Sequence, residues 1–169
     1  MKKIYHTIIL AAMFAAIVSA CDLYPPDGEN YHRRILLENC WDRPIYVTIS
    51  IDNYWYSEHF NDYFHFLDKP MKEYASPNII MPGETDREIT ESFESYEGML
   101  QDGDSAVIEV YDFQQPDKKD SECFLVYYLL SLKDLQKVNF HLTYPPNENM
   151  KDFHMKPSYE EVIRQSQTR

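Results

Sequence analysis

Glycine is scarce: only four occur in 169 residues, Gly28, Gly83, Gly98 and Gly103. All four stand in turn contexts and none opens a helix as a phosphate-binding loop would, so P-loop and dinucleotide-binding chemistry find no footing. No nucleophile elbow or zinc motif is present either, and the three cysteines lack CxxC spacing. Basic side chains are also short, 16 Lys and Arg against 28 Asp and Glu. A chain this acidic offers no basic patch to neutralise phosphates, which disfavours nucleic acid as a partner. The excess charge speaks for solubility and self-repulsion and names no ligand. Long apolar runs are missing as well. The greasiest stretch, Ile8 to Ala20, falls short of the roughly 20 residues needed to cross a bilayer.

That stretch has another use. Lys2 and Lys3 precede it, and small residues at its end crowd against Cys21: a charged start, an apolar middle and a small-residue cleavage site, as in a signal peptide. The order Val18-Ser19-Ala20-Cys21 resembles the lipobox of bacterial lipoproteins. The resemblance implies that residues 1–20 are removed and that Cys21 Sγ carries a diacylglycerol, with palmitate among the acyl groups. The partner is then a membrane of the cell envelope, here the outer membrane, with its periplasmic or surface side left open. Each buried CH₂ contributes about 0.8 kcal/mol, so two or three acyl chains hold a protein to a membrane almost permanently. An ordinary secretory signal with a chance cysteine is the alternative. With Cys21 assigned to lipid, Cys40 and Cys123 form an even pair in an oxidising compartment. A bridge between them would add about 4 kcal/mol in the chain-entropy model; two unpaired small hydrophobes is the other reading.

Residues 21–33 carry prolines, a glycine and mixed charge, and read as a tether between lipid and domain. The domain is expected over 34–146. Ile35 and Leu37 begin it, and Ile45, Val47, Ile49 and Ile51 alternate strictly with Tyr46, Thr48 and Ser50, the mark of a strand with one face on a core. Cys40 to Arg43 then reads as a hairpin turn joining these two strands. Tyr54 to Leu67 is an aromatic-rich strand candidate. Ile79 to Met81 is a short strand stopped by Pro82-Gly83, and Glu84 to Gln101 fits a strand end followed by a short helix. Ala106, Ile108 and Val110 mark a second alternating strand. Cys123 to Leu130 is apolar on both faces, a central strand or a buried helix start. Ser131 and Asp134 have capping-box spacing ahead of a two-turn helix, and Phe140, Leu142 and Tyr144 alternate as a last strand. Residues 147–169 read as a polar C-terminal tail of little order. About seven short strands without βαβ alternation point to an all-β fold, an antiparallel immunoglobulin-like β-sandwich with one or two short helices.

The run YYLLSLKDLQKVNFHLTY at 127–144, followed by PPNENMKDFHM, resembles the C-terminal half of a group of uncharacterised Bacteroides-type lipoproteins. Met81-Pro82-Gly83-Glu84 is similar to that group's PGE turn, and Asn39 to Val47 to its first strand pair. The resemblance covers about half the mature chain. It implies source and address, and carries no activity with it.

Three constellations bear on chemistry. His59, Asp62 and His65 are the densest set of metal-ligating types, but on a strand the histidines lie about 20 Å apart with Asp62 on the opposite face, so no metal is expected. Glu84, Asp86, Glu88, Glu91, Glu94 and Glu97 supply carboxylates of the kind glycosidases pair across a bond, and equally make a solvated face. Tyr54, Trp55, Tyr56 and Tyr63 are the candidate ligand contacts, flat rings able to stack on a sugar or on another protein, or to pack a sheet. No cofactor or catalytic set is indicated. The function that follows is a lipid-anchored, non-enzymatic binding or assembly module whose partner is a glycan or an envelope protein. The alternative is a small envelope hydrolase acting on glycans.

Overall fold

The computed structural model describes residues 32–52, 69–73, 78–86, 95–100 and 104–168. The compact unit to which they belong runs from Tyr31 to Arg169. Eight strands lie within the described residues: β1 Leu36–Asn39, β2 Ile45–Asp52, β3 Ile79–Ile80, β4 Thr85–Asp86, β5 Ser105–Asp112, β6 Phe124–Leu130, β7 His141–Tyr144 and β8 His154–Lys156. Four short helices accompany them: α1 Tyr96–Met99, α2 Asp120–Cys123, α3 Leu132–Lys137 and α4 Tyr159–Thr168. None of the helices among the described residues is long and apolar enough to cross a membrane.

The protein is mostly β, in two sheets of order β4-β1-β7 and β3-β2-β5-β6-β8. Alternation decides which side chains meet between them. Ile35 and Leu37 with Leu142 and Tyr144 from the smaller sheet share one buried core with Ile45, Val47, Ala106, Ile108, Val110, Tyr128 and Leu130 from the larger. β6 is an interior strand, flanked by β5 and β8, and six of its seven residues are buried; the doubly apolar run is thus a strand. Its outward residues Tyr127 and Leu129 cluster with Val107 of β5. A bulge opposite Val110 and Tyr111 leaves Leu125 without a partner and lets both Leu125 and Val126 enter the main core.

Three expectations from the sequence are corrected. First, β1 and β2 do not form a hairpin. β1 pairs with β4 and β7, while β2 pairs with β3 and β5, so 40–44 crosses from one sheet to the other. Alternation reads the same in either case; what redirects the chain is Asn39, whose buried side chain ties the crossing loop down. Second, the sheets are not wholly antiparallel. β1 and β7 run parallel in the register Leu36 to His141 through Asn39 to Tyr144, while the other five pairings among the described residues are antiparallel. Third, the segment from Asn147 onward is no loose tail. Met150, Phe153 and Val162 enter the core, β8 completes one edge of the larger sheet, and the Trp41 indole N–H donates to Ser166 O at 3.1 Å. Sparse apolar residues at wide spacing hid this docking, since three anchors in a polar stretch suffice to hold it.

Other expectations fit. The Ser131 hydroxyl accepts from Asp134 N–H at 3.3 Å while Asp134 Oδ2 accepts from Ser131 N–H at 3.0 Å, which starts α3. Pro82-Gly83 makes the turn between β3 and β4, with Gly83 at φ +77°, a conformation that suits glycine.

Candidate functional site

The aromatic set Tyr54, Trp55, Tyr56 and Tyr63, the lipidation candidate Cys21, and His59, Asp62 and His65 all lie outside the described residues, as do Glu88, Glu91 and Glu94. Glu84 is exposed just before β4 and Asp86 partly buried within it, whereas Glu97 lies in α1 against His32. The structure therefore scatters the described carboxylates rather than converging them.

Cys40 and Cys123 are both free thiols, which corrects the expected bridge. Cys40 follows β1 and is exposed, its N–H donating to Tyr144 O. Cys123 is buried in a small separate cluster with Tyr46, Met71 and Tyr111, on the face of the larger sheet turned away from the main core. Cys40 is no member of that cluster, and the two thiols stand in different surroundings. Denaturing the protein without reductant and titrating with a thiol reagent is expected to show both as reactive. In the folded state the exposed Cys40 should react slowly and Cys123 only as the fold opens; a pair silent until reductant is added would contradict the structure.

The thiols are held protonated. Burial pushes Cys40 up, and the neighbouring Glu38 charge and thiol-to-carboxylate hydrogen bond push it further. Burial does the same to Cys123, with the Asp112 charge adding to it. A raised thiol is a poor nucleophile.

The sequence gives no warning that β1 and β7 bring Glu38, Cys40 and His141 into one row on the outer face of the smaller sheet. His141 Nε2 lies 3.4 Å from Glu38 Oε2, both half-exposed. Glu38 stands between thiol and imidazole, so the imidazole cannot take the thiol proton directly, as a cysteine nucleophile with a histidine base requires. Only knowledge of the parallel pairing could reveal this row. It can donate and accept hydrogen bonds to a polar ligand. Among the described residues no group of three metal-ligating side chains converges.

Three of the well-covered carboxylates are engaged by local donors, Asp120 Oδ1 by Ser121 N–H at 2.7 Å. Glu109 Oε2 accepts from the Thr48 hydroxyl at 2.8 Å and the Tyr111 hydroxyl at 3.1 Å. Asp112 accepts from Gln114 N–H at 2.8 Å and faces the Arg43 guanidinium at 3.4 Å. Arg43 in turn lies over the Trp41 ring, 5.1 Å from its centroid. These contacts organise the crossing loop and the end of β5.

Comparison of the chain with protein-family models, with curated proteins and with solved structures gave no match in any of the three.

Proposed function

We propose that this is a lipid-anchored protein of the bacterial cell envelope, held at the outer membrane through Cys21, that works as a non-enzymatic binding or assembly module. The observation that carries the reading is the segment Ile17 to Cys21 at the end of a charged-then-apolar leader. The resemblance of 127–144 to Bacteroides-type lipoproteins supports the same address. An immunoglobulin-like sandwich is the finer reading of the fold; two sheets around one core support it, and the parallel β1–β7 pair is a departure from it. Binding is favoured over glycan hydrolysis because the buried or partly buried carboxylates Glu97, Glu109, Asp112 and Asp120 each serve a local structural contact. Tyr54, Trp55, Tyr56 and Tyr63 are the residues through which a glycan or an envelope protein would be held.

Growth on radiolabelled palmitate tests the anchor. The wild-type product is expected to be labelled and to sediment with membranes, and Cys21→Ala to lose both properties. An unlabelled wild-type protein free of membranes would end the proposal.

A further inference from the structure

His32, where the chain enters the domain, is gripped from two sides. Its backbone N–H donates to Glu97 Oε2 at 2.9 Å, and its ring Nδ1 meets Glu97 Oε1 at 2.6 Å. Its carbonyl accepts from Tyr96 N–H at 2.7 Å. The imidazole lies flat on the Phe140 ring, with 3.9 Å between centroids and 9° between planes. Phe140 sits at φ +54°, a region that bulky side chains avoid, and is buried. Three separate pieces of chain thus converge on one imidazole: the entering segment, α1, and the junction of α3 with β7.

We infer that His32, Glu97 and Phe140 form a proton-sensitive clasp that fastens the entry of the chain to the domain and opens independently of the core. Both hydrogen bonds from His32 end on one carboxylate, so the charge of Glu97 serves both. A hydrogen bond to a charged carboxylate is stronger than one to its protonated form. Burial opposes the Glu97 charge, but the bonds from His32 outweigh it and hold the carboxyl below its ordinary value. A carboxyl lowered on folding contributes stability that is present above its unfolded value and is lost as pH falls through the folded one. The clasp is therefore lost toward acid pH, as Glu97 takes up a proton.

Among the described residues the other titratable and charged groups nearby are few. Tyr96 on α1 is held well above its ordinary value by burial. Arg33 and Arg34 keep their charge throughout. His141, next after Phe140, faces Glu38. Among the described residues, Glu97 is the carboxylate that joins α1 to the entering chain. The clasp does not depend on lipid at Cys21.

Amide hydrogen exchange on the full chain in detergent, corrected for intrinsic exchange rates, tests it. Protection of the Tyr96 amide is expected to fall about fivefold between pH 6 and pH 3, the difference between a charge-assisted and an ordinary hydrogen bond, while β5 and β6 amides keep theirs. Glu97→Gln should abolish that pH dependence. His32→Phe, which keeps the ring stack and the backbone bond to Glu97, should weaken it. A flat wild-type profile, an unchanged fall in Glu97→Gln, or β5 and β6 amides moving in step with Tyr96 would each overturn the clasp.

Discussion

Replacing Asn39 with alanine is expected to lower the unfolding free energy by about 3 kcal/mol, roughly one for each hydrogen bond lost inside the protein. The side chain is wholly buried. Its Nδ2 donates to Arg43 O at 2.8 Å and to Ile80 O at 2.9 Å, and its Oδ1 accepts from Trp41 N–H at 3.0 Å. It therefore binds the crossing loop, the loop's far end and β3 together where the chain leaves one sheet for the other. Alanine would leave two carbonyls and one N–H without partners in a region that water reaches poorly. Asn39→Asp should be worse near neutral pH, because a carboxylate would face those carbonyl oxygens without a proton to donate. Burial would raise that carboxyl in the folded state, so the folded protein would bind the extra proton more tightly than the unfolded chain. The aspartate variant should thus recover relative to the alanine variant as pH falls. Urea unfolding of both variants, followed by far-UV circular dichroism between pH 4 and 7.5, checks this. An alanine variant within 0.5 kcal/mol of wild type, a margin small beside the ordinary cost of one lost buried hydrogen bond, would show that Asn39 does not organise the crossing.

How much of this was legible depends on how far each signal reaches along the chain. Local signals carried well. Alternation at Ile45 to Ile51 and at Ala106 to Val110 located β2 and β5, the Pro82-Gly83 turn located the end of β3, and Ser131 with Asp134 located the start of α3. Alternation says which side chains share a face but not which strand lies alongside. The hairpin reading of β1 and β2 failed for that reason, and the parallel β1–β7 pair, with the Glu38, Cys40 and His141 row it creates, could not be seen. The buried Asn39 was invisible for a related cause, since a polar residue between two strands ordinarily reads as turn. His32 and Glu97 lie 65 positions apart, and neither belongs to a motif. One missed feature did have a local signal. The Ser158 N–H and hydroxyl both donate to Glu161 Oε2, at 3.1 and 3.0 Å, which repeats the spacing that identified α3 and marks the start of α4.

Val162 in α4 carries the second large effect, because docking of the C-terminal helix rests on few anchors. Val162 is buried in the main core, whereas its neighbours Glu160 and Glu161 are exposed. Val162→Asp would place a carboxylate among apolar side chains with no cation to pair with, and is expected to cost about 4 kcal/mol, in the range of buried unpaired charge. The same substitution on the exposed side of the helix, Gln167→Asp, should change stability by less than about 0.5 kcal/mol. The two variants carry the same net charge, and Asp at 167 meets the unfavourable end of the helix dipole while Asp at 162 does not, so the gap between them is a lower bound on docking. Undocking would also release Trp41, whose indole N–H is held by Ser166 O, and whose ring meets Tyr144 edge-on at 5.6 Å. The loss should therefore reach the β1–β7 pair and the crossing loop as well as the helix. Faster amide exchange at Cys40, whose N–H donates to Tyr144 O at 2.7 Å, is the expected sign of that spread. Val162→Asp with wild-type stability and unchanged exchange at Cys40 would mean that the last eleven residues, 159–169, ride on the domain without holding it together.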